Sequence, residues 1–283
     1  MKNRTLTKTF SGIDTADGDG VKLTRIIGSP QLNMLDPFLL LDCFESDQAQ
    51  DYIGGFPEHP HRGFETVTYL LNGKMRHKDN AGHEGIIEPG GVQWMTAGRG
   101  ILHSEMPEQE HGLLKGFQLW VNLPRSAKMS EPRYQEYTPD AIAIEQQANG
   151  AIIKVIAGKT DQGTIGPVDN NYVFPTYMDI SLPPNSHVSQ AITQGHNAFI
   201  YVLEGDVTIS AKGDNEQKLL SAKKLGILSD GERVTINATA QNSRFLLFAG
   251  KPLNEPVARG GPFVMNSQAE IRQAFFDYQR GLF

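Results

Sequence analysis

Residues 59–105 constrain the fold more than any other part of the chain. They open HPHRGFETVTYLLNG and close EPGGVQWMTAGRGILHSE. Between these ends, short β-branched and aromatic runs are stopped by Asn72-Gly73, Ala81-Gly82, Pro89-Gly90-Gly91 and the AGRG at 97–100. Runs this short cannot make long helices, and the alternation in Val92-Gln-Trp-Met-Thr96 has the two-residue period of a strand. Asn72-Gly73 predicts a hairpin, with the chain from Lys74 as its returning strand. Strands at such spacing satisfy one another's backbone groups in a barrel or a sandwich.

Each end of this stretch carries two metal-competent side chains one residue apart: His59 and His61, then His103 and Glu105. In a strand, residues two apart share a face. Two such strands side by side would aim three imidazoles and a carboxylate at one point. Borderline first-row metals favour imidazole, and the carboxylate adds charge that suits a divalent ion. Four ligands leave octahedral positions open, which suits catalysis, whereas closed structural zinc sites favour thiolates. Either doublet alone reads as a surface turn or a satisfied core histidine; two doublets flanking one meander favour the metal. Glu65 is placed as a further ligand or as a carboxylate orienting an imidazole. His77, His83 and His111 stand singly in polar stretches and read as solvated. Trp94, Gln118 and Trp120 alternate as core positions, of which one or two line a pocket. Ser104 is beside His103 but faces away in a strand, so no nucleophile triad is indicated. No phosphate-binding glycine motif is present.

The rest of the chain repeats this texture. Residues 21–27 and the apolar run 37–46 read as strands, as do 115–123, 171–182, 199–203, 207–210, 225–228 and 244–249. The 29 glycines and 16 prolines among 283 residues exceed the average joint share of about 12%, which favours many short strands. Residues 124–150 are polar and Pro-bounded and read as a connector. The expected division is 1–140 for a metal-binding domain and 141–283 for a second domain. Residues 266–283 have helical spacing, with Ile271, Ala274, Phe275 and Tyr278 on one face and Ser267 as N-cap. A net charge of −6 and the absence of a basic run argue against direct nucleic-acid binding. The single cysteine, Cys43, excludes an internal disulfide and reads as a buried, inert thiol. With no apolar leader and no apolar run of ~18 residues, a cytoplasmic protein and no membrane partner are expected.

A weak internal repeat supports two similar halves. Tyr69-Leu-Leu-Asn-Gly73 matches Tyr201-Val-Leu-Glu-Gly205, and Thr96-Ala-Gly98 matches Ser229-Asp-Gly231. Carried along these offsets, His59 and His61 fall on Ala191 and Thr193, and His103 and Glu105 on Ile236 and Ala238. The second half is therefore expected to lack the metal site.

The two motifs that bound residues 59–105, together with LDPFLLLDCF (35–44), GFQLWVNLP (116–124) and residues 260–283, closely resemble the pirin family of the cupin superfamily. The resemblance covers most of the chain, and ITQGHNA (192–198) departs from it outside the motif. It implies an all-β bicupin, two tandem barrels with a short C-terminal helix and one metal in the N-terminal barrel. It implies His59, His61, His103 and Glu105 as ligands, and Glu65 as a position that binds metal in other cupins but not usually in pirins. It implies iron(II) first, with Zn, Cu, Mn, Ni or Co able to occupy the site. The activity it implies is that of a quercetin 2,3-dioxygenase, with a flavonol or related enol and dioxygen as partners and Glu105 as general base. The alternative it implies is a redox-sensitive metal-binding co-regulator that works through a protein partner. A monomer is expected.

Overall fold

The computed structural model describes residues 2–210 and 217–283. The chain opens with β1 (Leu6–Ser11). Then follow β2 (Ile13–Asp17), β3 (Val21–Ile27), β4 (Phe38–Ser46), β5 (Phe56–His61), β6 (Phe64–Asn72), β7 (Met75–Asp79), β8 (Glu84–Ile87), β9 (Val92–Thr96), β10 (Ile101–Pro107), β11 (Leu114–Asn122) and β12 (Arg133–Tyr137). A second set comprises β13 (Ala143–Gln146), β14 (Ile152–Ala157), β15 (Thr176–Leu182), β16 (His187–Ala191), β17 (Asn197–Glu204), β18 (Val207–Ser210), β19 (Gln217–Leu220), β20 (Lys224–Leu228), β21 (Arg233–Ala238) and β22 (Ser243–Gly250). The last segment holds β23 (Ala258–Gly260), β24 (Phe263–Met265) and the helix α1 (Gln268–Gln279).

The first barrel pairs a large sheet, β12-β9-β6-β11-β4-β3-β2, with a small one, β5-β10-β7-β8. The second repeats the plan strand for strand: β1-β20-β17-β22-β15-β14-β13 and β16-β21-β18-β19. Central strands such as β4 and β6 are buried along nearly their whole length, β6 with the polar Glu65, Thr66 and Thr68 among its buried residues. The small-sheet strands β10 and β21 alternate buried and half-buried residues, the pattern of a sheet with one face inward.

Two compact units result, and a single cut at 140 does not describe them. One comprises Ile13–Pro139 with Leu253–Phe283, the other Met1–Gly12 with Asp140–Pro252. The N-terminal strand explains part of the difference: β1 is the edge strand of the second barrel, with Leu6 opposite Leu228. In the first barrel β12 holds the matching edge, with Tyr134 opposite Met95. The expected connector at 124–150 thus contains two edge strands, β12 and β13. Their polar sequences suit strands paired on one side only.

The expected hairpin at Asn72-Gly73 does not form. Gly73 turns at φ +81°, but β7 pairs with β10 and β8, so the turn carries the chain from the large sheet to the small one. The strand read at 171–182 begins at Thr176. The helix follows its sequence signals: Ser267 Oγ accepts from Glu270 N, and Glu270 Oε2 accepts from Ser267 Oγ and Asn266 N, a form of capping box. Ile271 and Ala274 are buried, whereas Phe275 and Tyr278, expected on the same face, are exposed. Among the described residues no helix is long and apolar enough to cross a membrane.

The C-terminal segment packs on the first barrel's strands. Phe263 bridges to Arg62, and Val264 N donates to Arg62 O. Gly63 permits this approach, because a Cβ there would collide with Val264 O. Buried Lys128 donates to Gly63 O, Asn122 Oδ1 and Val264 O.

Candidate metal centre

Strands β5 and β10 lie antiparallel and adjacent, with His59 opposite His103 and His61 opposite Ile101. Opposed residues share a face, so both doublets point into the barrel, as their spacing predicts. On its other side β10 pairs with β7, which sets Asp79 opposite His103 and His77 opposite Glu105.

The three imidazoles converge. One coordinating atom from each of His59, His61 and His103 lies within 4.8 Å of the others. The Nε2 atoms of His59 and His61 are 3.0 Å apart. His59 Nδ1 donates to Pro57 O at 2.8 Å, and His61 Nδ1 reaches Pro262 O at 3.4 Å. A carbonyl on Nδ1 fixes the tautomer and leaves the Nε2 lone pair facing the cluster. His103 is buried, and neither of its ring nitrogens has a hydrogen-bond partner. Leaving such groups unpaired costs about 1–3 kcal/mol each, so this donor set fits a cation among the three rings. Burial, with His59 as a like neighbour, lowers the His61 pKa to about 3. Burial, with His61 and His59 nearby, also holds His103 well below its ordinary value. Neutral imidazole is the form that coordinates metal.

Glu105 is buried beside this cluster but is not one of the three converging groups. Its Oε1 accepts from Thr68 Oγ1 and its Oε2 from Gln118 Nε2, both at 2.7 Å. Thr68 Oγ1 also lies 2.9 Å from Gln118 Oε1. The hydroxyl has one proton, which can serve only one acceptor at a time. Glu65 sits elsewhere. It is opposite Thr96 and Val121, on the face of β6 away from Thr68, and accepts from Thr96 Oγ1 at 2.8 Å.

His77 is not solvated as its sequence suggests. It is 3% exposed, with Nε2 2.6 Å from Glu136 Oε2. The available signal was the doublet His77-Lys-Asp79, spaced like the other two but hidden among charged neighbours. His83 is exposed and binds Asp79 Oδ2 through Nδ1 at 2.9 Å; His111 is exposed. Trp94 is core, whereas Gln118 and Trp120 line the cavity.

That cavity measures about 570 Å³ and reaches His59, His61 and Glu105. Leu23, Leu40, Phe44, Phe56 and Trp120 supply apolar wall. Arg25 clasps Asp42 through Nε (3.0 Å) and Nη2 (2.7 Å) and reaches Asp17 at 2.8 Å. These carboxylates hold the guanidinium charged, with Asp42 contributing most.

The second barrel shows what these positions become without a site. With His103 matched to Ile236, ladder pairing places Val188 and Gln190 where His59 and His61 stand. Ala238 takes the Glu105 position, and Val207 and Ile209 those of His77 and Asp79. On the large sheet, Ile200, Leu247, Met178 and Val155 stand for Thr68, Gln118, Asp42 and Arg25. All but Gln190 belong to one apolar core. The constant offset that pointed to Ala191 and Thr193 is three residues out at β16, because loop lengths differ between the halves.

Comparison with known proteins agrees with this architecture. The Pirin family matches residues 20–121, and the Pirin C-terminal cupin domain matches 177–283. A pirin-like protein of Caulobacter vibrioides is 50% identical over 283 residues, covering 100% of both chains. Human pirin is 45% identical over 273 residues, covering 94% of this chain and 89% of its own. A crystal structure of quercetin 2,3-dioxygenase from Acinetobacter baumannii superposes with a TM-score of 0.88 at 35% identity, covering 100% of this chain and 99% of that one.

Proposed function

The chain belongs to the pirin family, a bicupin, and from that footing we propose that it is a metal-dependent dioxygenase that cleaves flavonols such as quercetin. The reaction consumes dioxygen and releases carbon monoxide. The observation that carries this reading is the convergence of three buried or half-buried imidazoles, two of which, His59 and His61, line a cavity with apolar walls. The likeness to the Acinetobacter enzyme supports it.

In this reading His59, His61 and His103 hold a divalent ion, iron(II) first, and Glu105 is the fourth ligand. The bound ion supplies Lewis acidity toward the enol oxygen and, as iron, an electron path to dioxygen. Glu105 accepts the proton of the flavonol 3-hydroxyl. Thr68 and Gln118 hold its carboxylate toward the cavity until then. Trp120 and Phe44 offer flat apolar surface to the rings and exclude water from the reacting end. The buried thiol of Cys43, which is in no disulfide, suits a cytoplasmic setting.

The test is elemental analysis of the purified protein followed by oxygen uptake and loss of flavonol absorbance in air. Turnover is expected, and it should disappear on chelation, in His61→Ala and in Glu105→Ala. A metal-loaded protein that consumes no oxygen with any flavonol removes the reading and leaves the co-regulator.

A further inference from the structure

Two guanidinium groups line the cavity, and their surroundings differ. Arg25 is neutralised by Asp42 and Asp17. Arg259 pairs with no carboxylate among the described residues, and its Nη2 is buried without a hydrogen-bond partner. Burial alone lowers its pKa, with no acidic neighbour opposing. A buried charged donor without an acceptor is costly to maintain, and natural structures rarely keep one without a reason.

The location of Arg259 is fixed by the fold. It stands on β23 opposite Val264 of β24, and Val264 N donates to Arg62 O, one residue after His61. The turn of this hairpin brings Gly261 and Pro262 to the same cavity, and Pro262 O faces His61 Nδ1. One short hairpin therefore orients an imidazole of the cluster and delivers an unpaired cation to the same space.

We propose that Arg259 is the anion anchor of this cavity and binds a second acidic oxygen group of the substrate, distinct from the enol taken by the histidine cluster. The substrate class is an enol-bearing aromatic molecule that also carries a carboxylate or an equally acidic oxygen. A planar guanidinium binds a carboxylate through two parallel hydrogen bonds, and the apolar walls accept the aromatic body. The proposal rests on the dioxygenase reading for the enol end only; the anchor itself requires no turnover.

Binding tests it directly. The probes are 3-hydroxyflavone and its 4′- and 7-carboxylates, titrated into metal-free and metal-loaded protein by calorimetry and by quenching of Trp120, which lines the cavity. At least one carboxylate should bind the wild type ~10-fold or more tighter than the neutral parent, as expected of a charged hydrogen-bonded pair. That preference should vanish in Arg259→Gln and persist in part in Arg259→Lys, while the neutral parent binds all three proteins alike. Unchanged circular dichroism and melting temperature establish that the variants fold. Equal affinity for neutral and anionic probes, or an anionic preference that survives Arg259→Gln, overturns the anchor. Oxygen uptake separates the two readings. Anionic preference without turnover removes the dioxygenase and keeps the anchor, whereas turnover without preference does the reverse.

Discussion

Phe263→Ala should unfold the metal-binding barrel far more easily than its distance in sequence from that barrel suggests. Phe263 is fully buried in a cluster with Ala258, Met265, Ile271 and Ala274. Its ring meets those of Phe275, Phe283 and Tyr278 at 4.9, 5.5 and 6.3 Å. Removing a buried phenylalanine costs about 3–5 kcal/mol, a large share of the ~5–15 kcal/mol that holds a domain together. The loss falls on the hairpin that bridges to Arg62 and faces His61 through Pro262, so metal affinity should fall with stability. Both tryptophans, Trp94 and Trp120, lie in the first unit, so their fluorescence reports that unit alone. For a urea slope of ~1–3 kcal/mol per molar, the tryptophan-detected midpoint should drop by about 1–5 M. An unfolding free energy that changes by less than ~1 kcal/mol would refute the assignment of this segment to the first barrel.

Two further outcomes follow from the site. Gln118→Leu, which installs the residue type of Leu247 in the second barrel, removes the donor to Glu105 Oε2; it should lower metal affinity or oxygen uptake by ~10–100-fold without unfolding the protein, and unchanged values in a metal titration and an oxygen electrode would sink the positioning role. In metal-stripped protein, His61 has a folded pKa of about 3 against 6.5 for the free side chain, so the unfolded chain binds the extra proton. That contribution is present above pH 6.5 and is lost as pH falls toward 3, at up to ~1.4 kcal/mol per pH unit. Denaturation midpoints that stay flat between pH 6.5 and 4.5 would contradict it.

Local chemistry was legible in the sequence wherever one strand or one turn decided the outcome. The doublets at His59 and His103 share a face because a strand has a period of two, and Ser267 caps α1 because Glu270 lies three residues on. Choices among distant partners were not legible. Asn72-Gly73 is a good turn whether β7 returns along β6 or crosses to β10. Residues 133–137 and 143–146 are too polar to read as core, yet each supplies one edge of a barrel. His77 sits among Arg76, Lys78 and Asp79, so its neighbours conceal that its own side chain is inward. The return of residues 253–283 to the first barrel depends on packing at Gly63 and Lys128, which no local pattern encodes.

The two barrels use one scaffold to opposite ends. In the second, Val188, Ile236, Ala238, Val207 and Ile209 close an apolar core. In the first, the corresponding positions are histidines and carboxylates, so that interior gives up hydrophobic stabilisation of about 1.5–3 kcal/mol for each large side chain replaced. Part of the polar content is self-satisfied, as in the Arg25–Asp42 clasp and the two donors on Glu105. The C-terminal segment contributes an apolar cluster around Phe263 and Ile271 to this same barrel, which offsets the weakened interior. Among the buried polar atoms left unpaired are the ring nitrogens of His103 and Nη2 of Arg259. A buried polar atom without a partner calls for an explanation, and a ligand is one. On the proposals made above, the first belongs to the metal end of the site and the second to the substrate's anion.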